Sequence, residues 1–359
     1  LQYSVQKSDS KEYIPFNQKG KDNEQISAFA ACKTFLACGT LTGRILIYGY
    51  DEETPKAELK MNTQLRVTGL SFNIDGSLLL ASCFDRQIWL IDLSDFKIIR
   101  TWAHSANILD CAIDPESKST GALSCVFIDQ NNKVIRLKPA SALFRSTTSA
   151  EAVEISANEF GIEKIVWNGE TVAWASSKQF TIMNIKSNQK ISQTANSSPY
   201  EWIRTSFLFT PNADKMTVYF KGLLYDVDLS PKIVVHPRKS IPQEKNVIIM
   251  TRAANLDARL IQQGDTSKEP KIEFKTDGDT IEDLVPYDMF NPNEFLKLVP
   301  GPEDVILALP FKVIGIKRAT ESEIIDVYLN SDRIEACIAK FAEAQKSLSQ
   351  SERFTLVSC

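Results

Sequence analysis

Short apolar bursts broken by polar turns run along most of the chain. "AFAACKTFLACGTLTGRILIYGYD" holds three β-rich bursts, parted at Lys33–Thr34 and at Leu41–Gly43. "VTGLSFNIDGSLLLASCFDRQIWLIDLSD" repeats the plan with breaks at Asn73–Gly76 and Asp85–Gln87. "ILDCAIDPESKSTGALSCVFIDQNNKVIRLKP" keeps it, with turns at Pro115–Gly121 and Asp129–Lys133. "GIEKIVWNGETVAWASSKQFTIMNIKSNQKIS" is the fourth copy, turning at Asn168–Glu170 and Ser176–Gln179. The first strands of copies two to four start near Val67, Ile108 and Ile162, separations of 41 and 54 residues, close to the roughly 40–50-residue period of propeller blades. "WIRTSFLFTPNADKMTVYFKGLLYDVDLS" reads as a fifth copy. "KNVIIMTRAANLDARLIQQ" with "PKIEFKTDGDTIEDLV" gives a sixth, and "FLKLVPGPEDVILALPFKVIGIKRA" the strands of a seventh. Strands bounded by Asn, Asp and Gly, with no long helical period before residue 319, predict an all-β, seven-bladed WD-type β-propeller. Six or eight blades are the alternatives.

The texture changes at both ends. Residues 1–24 read as a polar tail, with one possible closing strand around "EYIPF", and the propeller spans 25–318. From 319 to 359 the pattern turns helical. Thr320 and Glu323 form a capping box, and Ile324, Ile325, Val327, Tyr328 and Leu329 make an apolar stripe. Asn330–Ser331 break it before a second helix through Ile334, Cys337, Ile338 and Phe341. This α-helical hairpin is expected to begin an α-solenoid.

Composition narrows the chemistry. The chain is 43% apolar and 24% charged, as in ordinary globular proteins. Its formal charge of −4 gives no global pull toward phosphate backbones, so nucleic acid is not an expected partner. Seven cysteines (Cys32, Cys38, Cys83, Cys111, Cys125, Cys337 and Cys359) show no C-x-x-C pair and read as reduced, several of them core-packed. The N-terminal segment lacks an apolar signal region, and no run of 18 apolar residues occurs; a cytoplasmic protein with at most peripheral membrane contact is expected.

Catalytic signatures do not assemble. His104 and His236 are the only two histidines and sit apart, reading as surface or loop residues. "GTLTGR" (Gly39–Arg44) lacks phosphate-loop spacing and leads into a strand, so it reads as a hairpin turn. "DEE" (Asp51–Glu53) reads as a solvated cluster in a blade-to-blade loop, and no G-x-S-x-G elbow is present. No enzyme, cofactor or metal is expected. Two segments could touch a partner or lipid: "SALFRSTTSA", with Leu143 and Phe144, and "VHPRKSIPQEK", with Arg238 and Lys239. The plain alternative makes the first a flexible inter-blade loop and the second an exposed one. Trp89 reads as core. Trp167 and Trp174 are expected on neighbouring strands of one sheet, packing between blades.

"IEKIVWNGETVAWASSKQFTIMNIKSNQKI" resembles a blade of the vacuolar protein sorting forty-one family, whose members are subunits of the HOPS tethering complex. The resemblance rests on Trp167, the Asn/Gly turn and Ala173–Trp174–Ala175. "FLACGTLTGRILIY", "EPKIEF", "PEDVILALPF" and "ESEIIDVYLNSDRIEACIA" are similar to further family segments, so the match spans residues 27–345. It implies a non-enzymatic scaffold in a complex that tethers late endosomes, lysosomes or vacuoles, binding a Rab-type small GTPase and other tethering subunits. A related CORVET subunit, a vesicle-coat or intraflagellar propeller-solenoid scaffold, and a cargo-peptide-reading adaptor are the alternatives. Phe84, Arg86 and Trp102 are the candidate partner-binding residues, since aromatic and Arg side chains anchor interfaces; packing of Trp102 between blades is the competing reading.

Overall fold

The computed structural model describes residues 11–12, 24–139, 150–157, 161–195, 203–237, 247–253, 256–261, 271–275, 280–284, 297–301, 305–310 and 313–316, less positions 51, 53, 62, 63 and 121. The predicted helical hairpin, Leu143, Phe144, Arg238 and Lys239 lie outside the described residues. Within them the chain forms seven four-stranded antiparallel sheets, the blades of a β-propeller. The inner strands are Ile26–Ala31, Val67–Phe72, Ile108–Ile113, Ile162–Asn168, Ser206–Phe209, Val247–Ala253 and Lys297–Pro300. Each leads outward through two further strands to an outer one.

Inner and middle strands are buried on both faces because blades stack face to face. Leu78–Cys83 and Thr171–Ser176 are buried at every position, which is why the apolar bursts are continuous rather than alternating. The core is a set of seams. Ala37, Ile45 and Ile47 of blade one pack on Leu79, Trp89 and Ile91 of blade two. Leu80 and Leu90 meet Phe127 between blades two and three. Val126 and Ile128 meet Trp174 between three and four. Phe180 packs edge-on against Phe220 and Tyr225 between four and five. Tyr219 meets Val247 and donates its hydroxyl to the Val247 carbonyl at 2.7 Å. Ile249 with Leu307, and Ile306 with Phe29, close the last two seams.

The outer strands bury little: Ala57–Lys60, Lys97–Ala103, Ala150–Ser156, Lys190–Thr194 and Val234–Pro237 are exposed or half-buried at every position but Ser156. They correct three expectations. The Asp51–Glu53 segment lies between the third and outer strands of blade one, so it joins strands of one blade rather than two blades. Ala150 opens the outer strand of blade three, so the segment before it is likewise internal to that blade. Val234–Pro237 is an outer strand, not loop. An edge strand needs only one face of modest apolarity, so it leaves no burst in the sequence.

The seventh blade takes its outer strand from the other end of the chain. Lys11 and Glu12 pair with Gly315 and Ile314, closing the ring. This strand shares only Glu12 with the anticipated "EYIPF" segment. Turns follow their chemistry: Gly76 takes φ 71 in the Asn73–Gly76 turn, and Asp75 Oδ1 accepts the Ser77 N–H at 2.9 Å. Gly39–Arg44 is the hairpin turn expected of it.

Candidate functional site

One face of the disc carries the connections that lead into the inner strands together with the turns between second and third strands. In blade two these are joined by backbone bonds, Phe84 N–H to the Arg66 carbonyl at 3.0 Å and His104 N–H to the Arg86 carbonyl at 2.8 Å. The Arg66 guanidinium lies 4.9 Å from the centroid of the half-buried Phe84 ring. Leu65 is 45% exposed beside it. Arg86 is exposed and holds φ 73, so its side chain projects from a left-handed turn position. Leu65, Arg66, Phe84 and Arg86 thus form an apolar and basic patch of the composition that anchors interfaces.

Phe84 and Arg86 therefore share one surface turn. Trp102 sits elsewhere: it belongs to the outer strand Lys97–Ala103, opposite Ile88, rather than to the connection after the blade. Its half-buried ring packs on the seam between blades two and three. The ladder with the third strand of blade two continues through Trp102, which holds it on the outer strand and away from the Phe84–Arg86 turn. His104 also differs from its surface reading. Its Nε2 contacts Asp129 Oδ2 at 3.1 Å, with Asp129 buried, and its ring meets Phe127 edge-on at 5.0 Å. This histidine ties two blades together. His236 is exposed on the outer strand of blade five, 3.0 Å from Asp228. Trp89 is buried and donates Nε1–H to Gln87 Oε1 at 3.0 Å. Trp167 and Trp174 lie on neighbouring strands of blade four and in one seam, as expected.

The second feature is the central channel, a cavity of about 720 Å³ lined from all seven blades. Bulges shape its wall. In blades one, two, three, four and six the inner strand slips register at its second residue, between Ile26/Ala28, Val67/Gly69, Ile108/Asp110, Ile162/Lys164 and Val247/Ile249. A bulge re-aims side chains; here it brings Asp110 and Lys164 to the lumen. Bonds between blades then ring the channel. Ser27 donates to the Val67 carbonyl at 2.7 Å. Asp110 accepts the Ile165 N–H at 3.1 Å and its neighbour Cys111 N–H at 2.9 Å. Lys164 Nζ donates to the Thr205 carbonyl at 3.0 Å, and Lys297 Nζ to the Phe29 carbonyl at 2.7 Å.

These groups sit inside the disc, half-buried, with their remaining surface on the channel. Burial pushes the Asp110 carboxyl up, against the pull of Lys297, the two N–H donors and Lys164. Burial, and behind it the positive charge of Lys297, pushes the Lys164 ammonium down to about 8. Lys297 is lowered by burial as well. The four buried cysteines, Cys38, Cys83, Cys111 and Cys125, are free thiols, and desolvation raises Cys111 to about 12. Among the described residues no three His, Cys, Asp or Glu side chains converge as a metal set. Sequence reasoning missed Leu65, Arg66 and the whole channel cluster, because nothing in a polar connection or in a bulge shows as periodicity.

Seven blades, a polar outer rim and an exposed Arg-and-aromatic face define a propeller scaffold. The model for the Vps41 beta-propeller, described as the Vps42 beta-propeller, matches residues 17–212, and the chain belongs to this family. A propeller of this family points to a scaffold related to vesicle trafficking and membrane tethering. The chain is also similar to eukaryotic translation initiation factor 3 subunit I of Mycosarcoma maydis, 26% identical over 98 residues, which is 25% of this chain and only 28% of that relative's length. Among solved structures, the Cps50 (Swd1) beta-propeller domain of Myceliophteria thermophila superposes with a TM-score of 0.56 at 14% identity, covering 82% of this chain and 100% of that domain. That likeness speaks to the fold alone.

Proposed function

We propose that this chain is the propeller of a non-enzymatic, HOPS-like tethering subunit that acts in fusion at late endosomes, lysosomes or vacuoles and in vacuolar protein transport. It binds a Rab-type small GTPase and partner subunits, works from the cytoplasmic side, and touches membrane peripherally, with Leu143, Phe144, Arg238 and Lys239 as the contact candidates. The observation that carries the reading is family membership over residues 17–212. The Leu65–Arg66–Phe84–Arg86 patch supports it as the docking face, since Arg beside an aromatic ring, on a rigid turn, is the composition of an interface anchor. No catalytic role is assigned, because the patch lacks the convergent acid, base and nucleophile that chemistry requires.

The test is retention of late-endosomal GTPases, loaded with GTP or with GDP, on the immobilised chain. The GTP form should be held and the GDP form washed away. Equal retention of both forms, or of neither, removes the reading.

A further inference from the structure

We propose that the central channel is a binding site for a small phosphate-bearing anion, held between the Lys164 and Lys297 ammonium groups. The chain as a whole is acidic, with a formal charge of −4, yet among the described residues four basic ones (Lys33, Lys164, Arg204 and Lys297) and two acidic ones (Asp110 and Glu163) line the channel. The basic wall is therefore a local arrangement, not a reflection of composition. Its volume of about 720 Å³ falls within the roughly 300–1,000 Å³ of small-molecule pockets.

The donors point the same way. An ammonium group has three N–H donors, and each of these lysines spends one on a backbone carbonyl, Thr205 for Lys164 and Phe29 for Lys297. The carboxylate beside them does not neutralise the pair at contact distance. Asp110 uses both oxygens to accept N–H groups of Cys111 and Ile165, and it acts on the lysines through space only. Two ammonium groups that repel one another across a confined lumen are expensive to hold. The depressed affinity of Lys164 for its proton, traced to burial and then to Lys297, records that repulsion. A phosphate monoester carries near two negative charges and several acceptor oxygens on one small centre, and a polyphosphate carries more, so one such group can bridge both lysines. A single carboxylate offers half the charge. A folded partner cannot enter a lumen of this size.

The full chain should be titrated calorimetrically at low ionic strength with two soluble probes, pyrophosphate and inositol hexakisphosphate. A second arm uses phosphatidylcholine vesicles containing a phosphatidylinositol phosphate. Saturable binding that weakens by about tenfold or more in Lys164→Met and in Lys297→Met is expected. Binding to soluble probes assigns the phosphate to a free metabolite; binding to vesicles alone, lost in both variants, assigns it to a lipid headgroup. No saturable binding in either arm, or binding unchanged in both variants, overturns the proposal. Should Lys297→Met fail to fold, the rise in wild-type melting temperature on adding probe, absent in Lys164→Met, provides the same decision.

Discussion

Lys164 holds an ammonium group where a hydrocarbon would be cheaper. Its folded-state value, about 8, lies below the ordinary lysine range. A depressed lysine adds stability above its unfolded value, and that stability is lost as pH falls through the folded value. At pH 6.5 the charged group therefore costs the fold up to about 3 kcal/mol, partly returned by its bond to the Thr205 carbonyl. Lys164→Met is expected to be about 1–2 kcal/mol more stable than wild type at pH 6.5, an advantage that shrinks by about 1 kcal/mol at pH 9. Urea unfolding of both proteins across that range measures it. The raised thiols, such as Cys111, titrate alike in both, so the difference reports Lys164 together with its coupling to Asp110 and Lys297; parallel pH profiles would refute the assignment. Gly69 is the neighbouring constraint. A Cβ there would stand 2.7 Å from the Cys111 nitrogen and 2.8 Å from Asp110 Oδ1. Gly69→Ala should force the inner strands of blades two and three apart and destabilise by about 1–3 kcal/mol in the same unfolding assay.

At the scale of the element, the ring closes on a strand of two residues. Lys11–Glu12 covers the edge of Val313–Ile316, and an uncovered edge is a template for pairing with another chain. Removing residues 1–12 should lower stability by about 1–3 kcal/mol and make the protein self-associate on size-exclusion chromatography. A variant that stays monomeric with an unchanged melt would show that closure comes from the seams alone. What could be read from the sequence follows the same division. Strands buried on both faces, such as Leu78–Cys83, announce themselves as apolar runs, and their turns carry Asn, Asp and Gly. Outer strands such as Lys190–Thr194 bury little and leave no run, so loops inside a blade look like loops between blades. Bulges leave no trace at all: "ILDC" and "IEKI" do not reveal that Asp110 and Lys164 turn toward one lumen. Phe84 and Arg86 were legible as a pair in one turn. Arg66 was not, because its stacking on Phe84 is made by a connection with no motif.

At the scale of the molecule, the propeller separates its stability from its surface. The seams hold the blades, each packed against two neighbours, whereas Arg66 and Arg86 lie on an outer face and take no part in a seam. Arg86 even holds a left-handed backbone position, a strain of about 1 kcal/mol that favours no side chain. Reversing the charge of both, Arg66→Glu with Arg86→Glu, should leave the melting transition within the spread of ordinary surface substitutions, about 0.5 kcal/mol. The same pair should weaken retention of a GTP-loaded Rab-type GTPase by at least about tenfold, since an anchor is lost and like charges are set against the partner. Lys164→Met should do the opposite: a shifted stability profile with GTPase retention unchanged. If the face reversal unfolds the propeller, or if the channel substitution removes GTPase binding, then the two functions are not separable and docking on this face is wrong.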